Sequence, residues 1–451
     1  MSSEAPRRDA RVAAWERFAV GDRAARGVRE LRAMLRSELG RKSGTYVAAL
    51  LTNALLGIVV YGILTRSLDV HAFGTYATVI AFFTFSSMFF DFGVAPAGMR
   101  LLAVLHDGED HSRRIGALLT LSAIIGITFA VAAIAASFGA GAFGYRDIAG
   151  ILLATAPLAV VFPLQEMVFT ISQGTSRMRL MSVFLVLPRL LLIALLGVML
   201  FRGTIDARLA VLLTFAATGV AAGMAVGYLR PSFSGLRTEI PRILREVREY
   251  GRDVYLGRVV DGMTTGLDKL VLSFFHGMAS VSFYSIAMTM SAPISMFSKA
   301  AAQSAYKRFV SDARISRRLL TLNLLWCTGG ALVLLAACQI LIPLFFTDRY
   351  AASLAVLPWM MAGFALAGLN HPYHSFLAAH RQGRAIRIMS MSSSGVNIAL
   401  NFLLIPLLGM TGAAIAFLST YAVNIVMNLH YYRQAVSDAS GVSAIPPRGE
   451  A

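Results

Sequence analysis

The chain is 451 residues long, 57% of them hydrophobic and only 14% charged, with a mean hydropathy of +0.65. Soluble domains carry about 25% charged residues, so a soluble enzyme is excluded. The formal net charge of +17 would point to nucleic acid in a soluble domain, but in so apolar a chain it reads first as a topology signal, and no nucleic-acid partner is expected.

Residues 1–42 hold eleven Lys and Arg mixed with acids and lack an early apolar run, so no cleaved signal peptide is expected. Within them, Val28, Leu31, Leu35 and Leu39 recur among arginines as on an amphipathic helix. Apolar runs near the ~20 residues a membrane span requires then predict helices at 44–64, 75–97, 115–136, 148–170, 181–201, 208–229, 253–275, 279–301, 319–346, 350–371, 388–408 and 411–432. The fold class is therefore all-α and integral to the membrane, with about twelve spans. Cys327 and Cys338 share one run eleven residues apart. On a helix that is about 16 Å, too far for a disulfide.

Alternate connections hold 33 Lys and Arg on one side of the membrane against 5 on the other, which places both termini in the cytoplasm. Arg189, Arg258 and Lys269 are left inside spans. The longest connection, 230–252, carries Ile240, Ile243, Leu244, Val247 and Tyr250 at helical spacing among Arg and Glu, an amphipathic surface helix that either grips anionic headgroups or is simply solvated. It divides the chain into a basic N-terminal segment (1–43), a six-helix bundle (44–229), the linker (230–252), a second bundle (253–432) and a tail (433–451).

The bundles repeat. RLMS at 179–182 and RIMS at 387–390 match at an offset of 208, as do Tyr76 and Tyr284. Six spans is an even number, so the repeats are parallel, related by an axis along the membrane normal, an arrangement suited to a central site between two rocking bundles. The same offset pairs Asn53 with Asp261, Arg189 with Asn397, Glu166 with His374 and Asp91 with Lys299.

Enzyme motifs are wanting. There is no phosphate loop and no HExxH helix, and GAGAFG at 139–144 falls in a connection between spans rather than after a strand. The run from His106 to His111 has the composition of a hydrophilic turn, and His371 and His374, beside Pro372, read as a helix end. No metal or cofactor is called for. The seventh span is unusual: Arg258, Asp261, Thr265, Asp268 and Lys269 form one polar stripe. Charge at membrane depth costs about 2.5 to 3.5 kcal/mol per residue, so these groups face a bundle interior or a wet cavity. Arg258 and Asp261 either bind a ligand or neutralise each other.

LTRSLDVHAFGTYA (64–77), FDFGV (90–94) with Arg100 after it, and DKLVLS (268–273) followed by VSFY (281–284) resemble polysaccharide exporters and O-antigen (Wzx-type) flippases of the multidrug/oligosaccharidyl-lipid/polysaccharide (MOP) superfamily. The resemblance covers roughly 43–432; the basic N-terminal segment lies outside its usual pattern. It implies a bacterial inner-membrane transporter of lipopolysaccharide or exopolysaccharide assembly. Such a protein moves a polyprenyl-pyrophosphate-linked oligosaccharide by alternating access through a cationic cavity, among membrane lipids and polysaccharide-assembly partners. Candidate binding residues are Arg258, Arg189, Lys269, Asn53 and Asn397. Asp91, Glu166, Asp261 and Asp268 are candidates for charge pairing or for coupling to H⁺ or Na⁺. The rivals are a cation-coupled multidrug antiporter of the same superfamily and a membrane polymerase or glycosyltransferase. The antiporter would want a carboxylate-dominated cavity, and the enzyme a larger extra-membrane lobe.

Overall fold

The computed structural model describes residues 38–105, 111–203, 205–262, 266–380 and 382–442. The 25–39 amphipathic pattern and the 106–110 turn fall almost wholly outside them. Every regular element among the described residues is helical. The first half comprises α1 (Glu38–Ser67), α2 (Val70–Ser87), α3 (Val94–Ala103), α4 (His111–Ala142), α5 (Arg146–Thr155), α6 (Val161–Gly174), α7 (Met178–Arg202) and α8 (Ala207–Leu229). The linker forms α9 (Leu236–Glu246). The second half comprises α10 (Arg252–Gly262), α11 (Leu267–Ser311), α12 (Arg317–Phe346), α13 (Ser353–Ala379) and α14 (Gly383–Val442).

Nine described helices are long and apolar enough to cross a bilayer, and α5 with α6, bent by 48°, makes a tenth crossing. The twelve-span count follows because two of the long helices are each broken at a glycine with non-helical torsions, α11 at Gly277 (φ 76°) and α14 at Gly409 (φ 57°). α14 thus crosses twice. The short first part of α11 completes a seventh span begun by α10. That first part starts after Gly266, whose φ of 92° is left-handed and open to glycine at no steric cost. The stripe from Arg258 to Lys269 is therefore not continuous, a correction to the sequence reading: the two parts of the span carry their charges to different neighbours.

The second span also departs from expectation. It starts at Val70, capped by Asp69 Oδ1 accepting from Ala72 N at 2.8 Å, and it stops at Phe92 (φ 49°) and Gly93 (φ 84°). Asp91 caps the resumed helix, its Oδ1 accepting from Ala95 N at 2.9 Å.

The repeat is visible as a contact. A Cβ on Gly74 of α2 would lie 1.9 Å from Met278 O of α11, and Ser282 Oγ donates to Val70 O at 2.5 Å. Positions 74 and 282, like 70 and 278, differ by 208, so the two contacts exchange under the repeat, as across a two-fold axis. Around this crossing Arg66 donates to Leu344 O at 2.5 Å and Phe345 O at 3.3 Å, and Thr78 Oγ1 lies 3.3 Å from Met278 Sδ. These ties close the space between the halves at one end. Toward the other end α2 has no buried side chain beyond Phe83.

That other end carries the linker. Ile243 is buried beside Val94, Leu102 and Ile115, Arg114 pairs with Glu239 at 2.9 Å, and Arg100 pairs with Glu246 at 2.6 Å. The apolar face of α9 is thus taken up by α3 and α4. Inside the first half, Phe83 meets Phe129, Phe162 and Phe215 with ring centroids 4.9 to 6.0 Å apart. Such packing, rather than an oil-water difference, holds helices together in lipid.

A charged cavity between the halves

Below the closed end lies a cavity of about 290 Å³. The break after α2 puts Asp91 on its wall, α4 gives Ser122, α6 gives Gln165 and Glu166, and α10 gives Tyr255 and Arg258. α10 belongs to the second half but leans on the first: Tyr255 Oη donates to Phe89 O at 2.8 Å, and a Cβ on Gly251 would sit 2.3 Å from Gly93 O. Arg258 Nη2 donates to Glu166 Oε1, and both side chains stay nearly half exposed, 47% and 46%. Asp91 Oδ2 and Ser122 Oγ are buried on this wall without a hydrogen-bond partner. Two carboxylates and one guanidinium line this wall, and of the two acids Glu166 holds the guanidinium.

The other expected residues go elsewhere. Arg189 Nε donates to Asn53 Oδ1 at 2.7 Å, joining α7 to α1 inside the first half and uniting two positions that the offset had assigned to separate pairs. Asn397, buried in α14, donates to Thr420 Oγ1 at 3.0 Å and accepts from Asn401 at 3.0 Å; it does not line the cavity. Asp268 is 4% exposed and accepts from the Tyr284 hydroxyl and from Lys269 N at 2.8 Å. Asp268 is thus enclosed in packed protein and does not line the cavity. Lys269 is half-buried beside it. The side chain of Asp261 lies outside the described residues, and the observed acidic partner of Arg258 is Glu166.

Three residues read as loop or helix-end positions lie well within helices. Lys299 is about three turns before the end of α11 at Ser311. His371 and His374 sit in α13, which continues through Pro372 to Ala379. The 208 offset had named Lys299 and His374; the apolar content of 302–311 as a helical continuation was the missed signal. Cys327 and Cys338 are buried free thiols. No group of three or more metal-ligating side chains is placed to hold an ion among the described residues.

The profile of a family described as "Polysaccharide biosynthesis protein" matches residues 39–311. No curated protein matches the chain. Among solved structures, the lipid II flippase MurJ in an inward closed conformation is similar at a TM-score of 0.68 and 14% identity, covering 87% of this chain and 88% of that one. An inward-facing multidrug resistance MATE family transporter of the MOP superfamily gives 0.69 and 14%, covering 89% and 100%. A MOP superfamily transporter from Pyrococcus furiosus, described by the reverse polarity of its binding pocket, gives 0.60 and 15%, covering 90% and 97%. The expected fold is thus one shared with solved MOP superfamily transporters.

Proposed function

The chain belongs to the polysaccharide biosynthesis protein family, and from that premise and the charged cavity between its halves we propose that it is a flippase for a lipid-linked oligosaccharide with an anionic phosphate or pyrophosphate head. The observation that carries the reading is a polar, charged cavity at membrane depth, closed at one end by a contact the repeat makes symmetric. Two halves that meet through exchangeable contacts can rock about them and open the cavity to either side in turn. The linker end is cytoplasmic by its basic excess, so the present closure faces the periplasm of a bacterial inner membrane.

In this reading Arg258 ties α10 to α6 through Glu166 rather than holding the phosphate alone. Asp91, with one oxygen unpartnered, is the position for a coupling proton or Na⁺. Arg189, Asn53, Asn397 and Asp268 act inside the halves, fixing helices that the transport cycle moves as units. Transport needs neither a bond-making group nor a cofactor.

The acidic first-half wall favours a second reading, an antiporter for organic cations. Proteoliposomes decide between them. The flippase accelerates translocation of a fluorescent polyprenyl-pyrophosphate oligosaccharide and leaves rhodamine gradients untouched; the antiporter does the reverse.

A further inference from the structure

α2 and α11 meet as counterparts at the Gly74–Ser282 crossing, so the offset of 208 that relates them also carries cavity-lining positions of the first half to positions of the second, Asp91 lying at the break after α2 and its counterpart within α11. Carried across in this way, Asp91 becomes Lys299, Pro163 becomes His371 and Glu166 becomes His374. The first-half positions carry two carboxylates, and their counterparts carry one ammonium and two imidazoles.

The three second-half residues also converge in space. Ser298 packs against Gly368 of α13, where an added Cβ would lie 3.0 Å from Ser298 Oγ. That contact brings the turn of α11 that carries Lys299 alongside α13 one turn before His371, and His374 lies one further turn along the same face. Lys299 and His374 both act electrostatically on His371. Lys299 and His374 are exposed although they lie inside spanning helices, and no carboxylate among the described residues is within 4.0 Å of Lys299. An unpaired ammonium on a spanning helix is stable where it faces water or an anion. Arg258, by contrast, already has Glu166.

We propose that Lys299, His371 and His374 form an anion-binding subsite on the second-half wall that takes the phosphate or pyrophosphate head of the transported lipid. The inference rests on the flippase reading. The ammonium supplies a point charge with three donors, and each imidazole supplies an N–H. Asp91 and Glu166 on the opposite wall repel the head and leave Gln165, Ser122 and Tyr255 to the sugars. The head is thereby held to one side of the cavity and the glycan to the other.

The test is equilibrium binding to the full-length protein in nanodiscs, using radiolabelled polyprenyl pyrophosphate, the uncharged polyprenol and inorganic pyrophosphate as probes. Each variant is first checked for wild-type size-exclusion profile and thermal midpoint. Lys299→Gln and the double change His371→Gln/His374→Gln should each weaken polyprenyl pyrophosphate binding about tenfold, and Lys299→Arg should restore most of it. Arg258→Gln should weaken it about threefold or less. Polyprenol binding should be unchanged throughout. Competition by inorganic pyrophosphate that is lost in Lys299→Gln would assign the subsite to the phosphate group itself; competition that persists would overturn it. Unchanged lipid binding in Lys299→Gln, with wild-type affinity intact, would remove the subsite and leave the flippase reading standing. If the wild type prefers polyprenol to polyprenyl pyrophosphate, the reading and the subsite fall together.

Discussion

The residues with most at stake are the charges inside spanning helices, among them Arg189, paired with Asn53, and Arg258, paired with Glu166 on the cavity wall. Arg189 shows the cost of removing a partner. Its guanidinium is held by Asn53 Oδ1, and a Cβ on Gly57, one turn along α1, would come within 2.8 Å of its Nη1. Asn53→Leu should cost about 1 to 3 kcal/mol by leaving a half-buried charged donor unsatisfied, whereas Asn53→Asp should retain stability. Thermal unfolding in detergent reads both, and equal midpoints would show that the bond is unimportant. The Arg258–Glu166 pair invites a double-mutant cycle. Arg258→Gln and Glu166→Gln should each reduce transport several-fold, and the combination should recover most of it, because each single change leaves an unpaired charge that the double change removes. Persistent loss in the double variant would put the cargo's phosphate on Arg258. The partner of Arg258 was illegible in the sequence, where Asp261 stood three positions away on the same helix while Glu166 lay 92 positions off on another.

At the level of elements, the repeat was legible and the breaks were not. Tyr76 and Tyr284 share an offset because both open the second helix of a half, and the same offset relates the crossing contacts of α2 and α11. The interruptions at Phe92–Gly93 and at Gly266 left little trace, since a glycine in a span is as often a packing residue as a bend. The linker's apolar stripe was equally ambiguous: a stripe records that one face is covered, and the cover here is α3 and α4. Gly74 is the position where the crossing is least tolerant. Gly74→Val should prevent closure, because Met278 O occupies the place of any Cβ. Spin labels on the ends of α1 and α12 farthest from the linker should report longer distances in that variant than in the wild type. Unchanged distances would mean that the crossing is not the closing contact.

At the scale of the molecule, two halves are joined by a linker, a charged cavity lies where α10 of the second half meets the first, and the direction of transport depends on which end faces the cytoplasm. Single cysteines at Asp147 and Arg349 should react with an impermeant thiol reagent in intact cells, while those at Arg179 and Arg245 should not; the native Cys327 and Cys338 are buried and silent. Labelling of the second pair would invert the orientation. The central claim is that the cavity carries an anionic lipid-linked sugar across the membrane by parting the Gly74–Ser282 crossing. It is tested most directly by reconstituting Val70→Cys/Ser282→Cys and following translocation of a fluorescent polyprenyl-pyrophosphate oligosaccharide. Translocation should occur in reductant, stop when the two cysteines are oxidised to a disulfide, and resume on reduction. Translocation at full rate through the locked protein, or none in its reduced form when the wild type is equally inactive, would contradict the account.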